Sequence, residues 1–88
     1  METDPAVISR LDAFIKEADE VCDACVTLGK DDDSYDAGRW RDEATAMKAA
    51  LEKQDYAAVQ EVLDDSFIEA ESPEDWLDKA EKRLDRLG

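Results

Sequence analysis

Two cysteines stand three residues apart, in the run Cys22-Asp23-Ala24-Cys25. Such a pair can carry thiol–disulfide exchange or supply two ligands to zinc. Both uses need thiolates, which form beside cationic groups or at helix N-termini. This pair falls instead in the last two turns of an expected helix, where the dipole is negative, with Glu20 and Asp23 as neighbours. Cysteines at i and i+3 of one helix are also poorly oriented for a disulfide, and two thiolates leave a zinc ion two ligands short, unless a dimer supplied four. Both lie within the apolar arc of that helix and read as core residues, with a thiol or metal sensor as the weaker alternative.

The run from Asp32 has partial calcium-loop spacing: Asp32, Ser34, Asp36 and Glu43 occupy positions 1, 3, 5 and 12. The glycine needed at position 6 is Ala37 and the apolar residue at position 8 is Arg39, so the pattern fails where a tight turn is required. Paired carboxylates could do acid–base work, but among 25 acids no pair is distinguished by its spacing. There is no histidine, which removes imidazole bases and ligands. Glycine occurs only at Gly29, Gly38 and Gly88, too sparsely for a phosphate-cradling loop. The expectation is a chain that is not an enzyme, with no cofactor and no metal.

The 88 residues include 25 Asp and Glu against 11 Lys and Arg, a formal net charge of −14. That charge repels nucleic-acid phosphates and anionic membranes and favours a basic protein partner. An acidic N-terminus and the absence of a long apolar run predict a cytoplasmic chain with neither signal peptide nor membrane span. The apolar 43% suffices for a small core, so one domain over residues 1–88 is expected.

Four helices are predicted, approximately 5–28, 35–53, 56–70 and 73–87, forming a small all-α bundle of antiparallel neighbours. Asp4 and Pro5 open the first and Gly29 ends it. Val7, Leu11, Phe14, Ala18, Val21, Cys25 and Leu28 form one stripe, with Ile8, Ile15, Cys22 and Val26 as a second row. Residues 30–36, with Asp31, Asp32 and Asp33, read as a solvated loop. Trp40, Ala44, Met47 and Leu51 face the core from the second helix. Tyr56, Val59, Leu63, Phe67 and Ala70 do so from the third. Asp55 caps that helix, and Ser72-Pro73-Glu74-Asp75 starts the fourth. Leu77, Ala80, Leu84 and Leu87 are its buried face, Trp76 sits at the shoulder, and Gly88 ends it.

Between Gln54 and Asp78 there is no Lys or Arg. Lys79, Lys82, Arg83 and Arg86 line one face of the fourth helix, and in a hairpin with the third they lie opposite Glu61 and Asp64. Glu69, Glu71, Glu74, Asp75 and Asp78 are then left unpaired around the last turn. Ile68 projects about 120° away from the apolar stripe, between Asp64 and Asp65, as an apolar anchor ringed by acids. The expected partner-binding residues are therefore Asp64, Asp65, Ile68, Glu69, Glu71, Glu74, Asp75 and Asp78. The expected function is a non-enzymatic interaction module that docks this surface on a basic protein, as an inhibitor, a nucleic-acid mimic or a chaperone-like protein. The competing expectation is a self-associating structural or regulatory domain, possible as a homodimer, whose acidity serves solubility or salt adaptation.

Overall fold

The computed structural model describes residues 5–87. The expected four helices are present: α1 (Pro5–Thr27), α2 (Asp31–Glu52), α3 (Tyr56–Asp65) and α4 (Pro73–Leu87). The described residues contain no strand. The expected Asp4 cap and Gly88 stop lie outside the described residues. No helix among them is long and apolar enough to cross a membrane.

The first two helix–helix junctions are the same device. After α1, Lys30 N–H donates to Cys25 O and Gly29 N–H to Val26 O. After α2, Asp55 N–H donates to Ala50 O and Gln54 N–H to Leu51 O. This crossed pair of bonds needs a left-handed residue between the helices. Gly29 takes that conformation at φ 74°, and Gln54 at φ 57°. Asp55 then opens α3 by accepting from Ala58 N–H at 3.1 Å. Ser72 opens α4 by accepting from Asp75 N–H at 3.2 Å.

Two boundaries differ from expectation. The acidic stretch after Lys30 is not a loop: Asp31, Asp32 and Asp33 are the first turn of α2. Three carboxylates there meet the positive end of the helix dipole, so the acids favour the helix rather than interrupting it. Conversely α3 stops at Asp65, and Ser66 is extended at φ −71°, ψ 144°. Residues 66–72 are thus the longest connection between helices, where sequence periodicity continues the helix to residue 70.

The core is one cluster, with Leu11, Phe14, Met47, Ile68, Trp76, Leu77 and Leu84 as its largest fully buried side chains. Trp76, expected at the shoulder, is fully buried and meets Phe14 edge-on, with centroids 5.3 Å apart. Phe67 and Leu28, expected inside, are exposed, and so is Val26. Leu28 lies beyond the last residue of α1, where the turn carries it off the helical stripe.

α1 and α2 form an antiparallel hairpin, stitched by Arg41–Asp19 at 2.7 Å and Lys48–Asp12 at 3.0 Å. α4 runs antiparallel to α1: Trp76 meets Phe14, and further along Arg10 holds Asp78 at 2.9 Å and Glu81 at 3.2 Å. α3 returns along α2 from the Gln54 turn, so that Ser66 reaches Glu43. At 1.5 Å per residue α1 alone is about 34 Å long, and the molecule measures 42 × 22 × 18 Å. α3 and α4 lie against the open half of the hairpin. The contacts that join them to it include those of Arg10, Phe14, Arg39 and Glu43.

Candidate functional site

The segment joining α3 to α4 gathers most of the residues singled out above. Its conformation is set at Ser66. The hydroxyl donates to Glu43 Oε2 at 2.7 Å and accepts from Trp76 Nε1 at 3.0 Å and from Ile68 N–H at 3.1 Å. One proton and two lone pairs are all engaged. Glu43 also pairs with Arg39, Nε to Oε1 at 3.3 Å, though the Nε–H is not aligned for a hydrogen bond. The Arg39 guanidinium lies over the Phe67 ring at 4.0 Å.

This arrangement exchanges the expected places of two neighbours. Once the chain is extended at Ser66, successive side chains point to opposite sides. Phe67 turns outward, 68% exposed, and Ile68 turns inward, 0% exposed. The expectation that Ile68 is a surface anchor is therefore wrong. It used a helical angle at a position where the helix has already ended. Phe67 is the apolar side chain that stands among the acids, and the feature that locates it is the Ser66 network rather than any periodicity.

The acids sort into two groups. Asp78 is not unpaired, since Arg10 holds it from α1. Asp75 is not unpaired either. It accepts from Glu71 N–H at 3.2 Å and pairs with Lys79 at 3.2 Å. The Glu71 amide first, and then Lys79, hold its carboxyl below the ordinary value. Lys79 also donates to the Glu69 carbonyl at 2.6 Å, closing the end of the segment onto α4. The expected pairing of the α4 cations with Glu61 and Asp64 is absent among the described ion pairs. Because α3 is short and residues 66–72 lead α4 onto α1, the two helices do not form a hairpin.

Asp64, Asp65, Glu69, Glu71 and Glu74 remain exposed, with no ion pair among the described residues. Asp64 accepts from Gln60 Nε2, at 3.1 Å. Asp65 borders a shallow groove between α2 and α3, lined also by Arg39, Asp42, Glu43, Ala46 and Val62.

The sites weighed for metal or thiol chemistry take ordinary structural places. Asp32, Ser34, Asp36 and Glu43 are all on α2, where Ser34 points away from the other three and Glu43 lies about two turns beyond Asp36, so they do not converge. Among the described residues no group of three or more Cys, Asp or Glu is arranged to hold a metal ion. Both cysteines are free. Cys25 is buried, and the Cys22 thiol lies 3.4 Å from both Ser34 O and Ser34 Oγ.

No family model, no curated protein and no solved structure matches this chain.

Proposed function

We propose that the chain is a non-enzymatic interaction module that docks the acidic surface around Phe67 onto a basic protein. The observation that carries this reading is the exposed Phe67 ring among carboxylates that have no ion pair within the described chain: Asp64, Asp65, Glu69, Glu71 and Glu74. Unscreened carboxylates raise the encounter rate with a cationic surface, and an apolar ring at their centre supplies contact area once water is expelled. Arg39 already lies on one face of that ring, so the patch accommodates a guanidinium without distortion. Asp75 and Asp78 are tied to Lys79 and Arg10 and serve the fold. Ile68 belongs to the core.

The test begins with the basic protein captured from the source cell at low salt and then measures its binding kinetics at two ionic strengths. Replacing Glu69, Glu71 and Glu74 by Gln slows association, and the deficit shrinks as salt rises. Phe67→Ala speeds dissociation with little dependence on salt. If both variants bind as the wild type does, this face is not the docking surface.

A further inference from the structure

Of the four large apolar side chains exposed among the described residues, three belong to the turn end of the α1–α2 hairpin: Val26 at 61%, Leu28 at 69% and Tyr35 at 64%. They do not face the core, and no described contact with α3 or α4 covers them. Val26 lies about 40° around α1 from Cys22, whose thiol touches Ser34, and Tyr35 follows Ser34 on α2. Val26 and Tyr35 therefore flank the seam between the two helices. Leu28 sits on the turn that joins them.

The collar around these residues is acidic on the side of the turn, while away from the turn Tyr35 borders a groove lined also by Arg39, Arg41 and Asp42. Asp31, Asp32 and Asp33 occupy the first turn of α2, and Asp36 follows in the next. None has an ion pair among the described residues. Lys30 is the one cation within the turn, and it borders an open depression lined by Gly29, Asp31, Asp32 and Asp33. A second copy of the chain is the wrong occupant, because each copy brings the same net charge of −14 and like charges would meet at close range.

We infer that the hairpin tip is a separate docking prong for a basic amphipathic helix, with Val26, Leu28 and Tyr35 meeting its apolar side and Asp31, Asp32 and Asp36 meeting flanking lysines or arginines. The charge selects the sign of the partner, and the apolar residues select a segment with an apolar stripe over a merely cationic one. This inference stands independently of the function proposed for the face around Phe67, which lies on the connection between α3 and α4.

The probe is a synthetic amphipathic helix of leucine and lysine, titrated into the full, isotope-labelled chain while amide resonances are followed. A lysine homopolymer and a leucine–glutamate peptide serve as comparisons. The prong requires the shifts to centre on residues 26–36, with binding at least about tenfold tighter than for the homopolymer. It also requires the variant V26S/L28S/Y35S to lose about tenfold in affinity while keeping its helical circular dichroism. Phe67→Ser should stay within about twofold of wild type, because it removes a contact from the other surface. The inference is overturned by shifts centred on residues 64–75, by a homopolymer that binds as tightly, or by a triple variant with unchanged affinity. Should the triple variant fail to fold, the shift map and the homopolymer comparison on wild type still decide between these results. A peptide that maps to the tip while Phe67→Ala leaves the captured partner unaffected would preserve the prong and remove the function proposed above.

Discussion

The two halves of the α1–α2 hairpin are built from different side chains. Towards its open end the buried residues are Val7, Leu11 and Phe14 on α1 and Trp40, Ala44, Met47, Ala50 and Leu51 on α2. They meet Leu63 of α3 and Trp76, Leu77 and Leu84 of α4 in one core. Between Ala18 and Arg39 the buried residues are Ala18, Cys25 and Ala37, and a Cβ built on Gly38 would stand in ordinary contact with the Cys22 sulfur, at 3.6 Å. Small side chains let the helices approach closely but remove little apolar surface from water. Burial stabilises by roughly 25 cal/mol per Å², so the stability of the molecule resides at the covered end. The hairpin end is a lighter extension whose apolar residues face outward.

The largest test of that contrast is at Trp76. Trp76→Ala should cost about 3–5 kcal/mol, from lost burial and from the cavity beside Phe14. Ile68→Ala should cost about 2–5 kcal/mol, whereas a surface anchor would cost almost nothing. Denaturant unfolding measures both. Substituting Leu28 or Tyr35 by Ser should change the same midpoint by less than about 0.5 kcal/mol. Equal effects at the two ends would break the contrast.

Ser66→Ala comes next, at about 1–3 kcal/mol, because it strands the buried Trp76 Nε1–H and a Glu43 oxygen. Much of this is local. Amide exchange should accelerate over residues 66–72 beyond what the global loss explains, while residues 18–36 show only the global effect.

That particular hydroxyl also explains what the sequence conceals. The helix starts and stops were legible wherever the signal is local. Gly29 supplies the left-handed residue, Asp55 and Ser72 supply caps, and the 3.6-residue stripes mark the core of α1, α2 and α4. The end of α3 has no such mark. Phe67 and Ala70 continue the helical spacing, and what stops the helix is a set of bonds from Ser66 to Glu43 on α2 and Trp76 on α4. Those are tertiary contacts, between residues 23 and 10 positions apart in the sequence. The candidate surface inherited the error: the acids at 64, 65, 69, 71 and 74 were legible from composition, but the apolar residue among them was displaced by one. At the hairpin the opposite mistake arose. Asp31, Asp32 and Asp33 resemble a loop by composition, and it is their position at a helix start that makes them favourable.

Gln54→Gly should stabilise by about 0.5–1 kcal/mol, since Gln occupies a left-handed turn that glycine adopts without a Cβ clash. The same substitution logic offers nothing at Gly29, which already has the suitable residue. A smaller effect separates the two groups of acids. Replacing Glu69, Glu71 and Glu74 by Gln should stabilise by a few tenths of a kcal/mol by relieving repulsion. Asp75→Asn should destabilise, because it weakens the bonds to the Glu71 amide and Lys79. The pH dependence has a matching sign. The Asp75 carboxyl has a folded pKa below its ordinary value, so its contribution is present above the unfolded pKa of about 4. It is lost as pH falls through the lower folded value. Thermal melts between neutral pH and about pH 3 should show Asp75→Asn and wild type converging at the acid end.

The Ser66 hydroxyl has a further consequence for how the α3–α4 connection can move. It has one hydrogen to give and two lone pairs to share, and Glu43, Trp76 and the Ile68 amide use all three. There is no spare valence for water to enter beforehand and ease the transition. Withdrawing Ser66 interrupts contacts to two helices and to its own backbone together, and it carries the buried Ile68 outward with it. Residues 66–72 are therefore expected to behave as a binary latch, seated or released with no stable intermediate position. The Phe67 ring would be presented in a single pose for as long as the latch is shut.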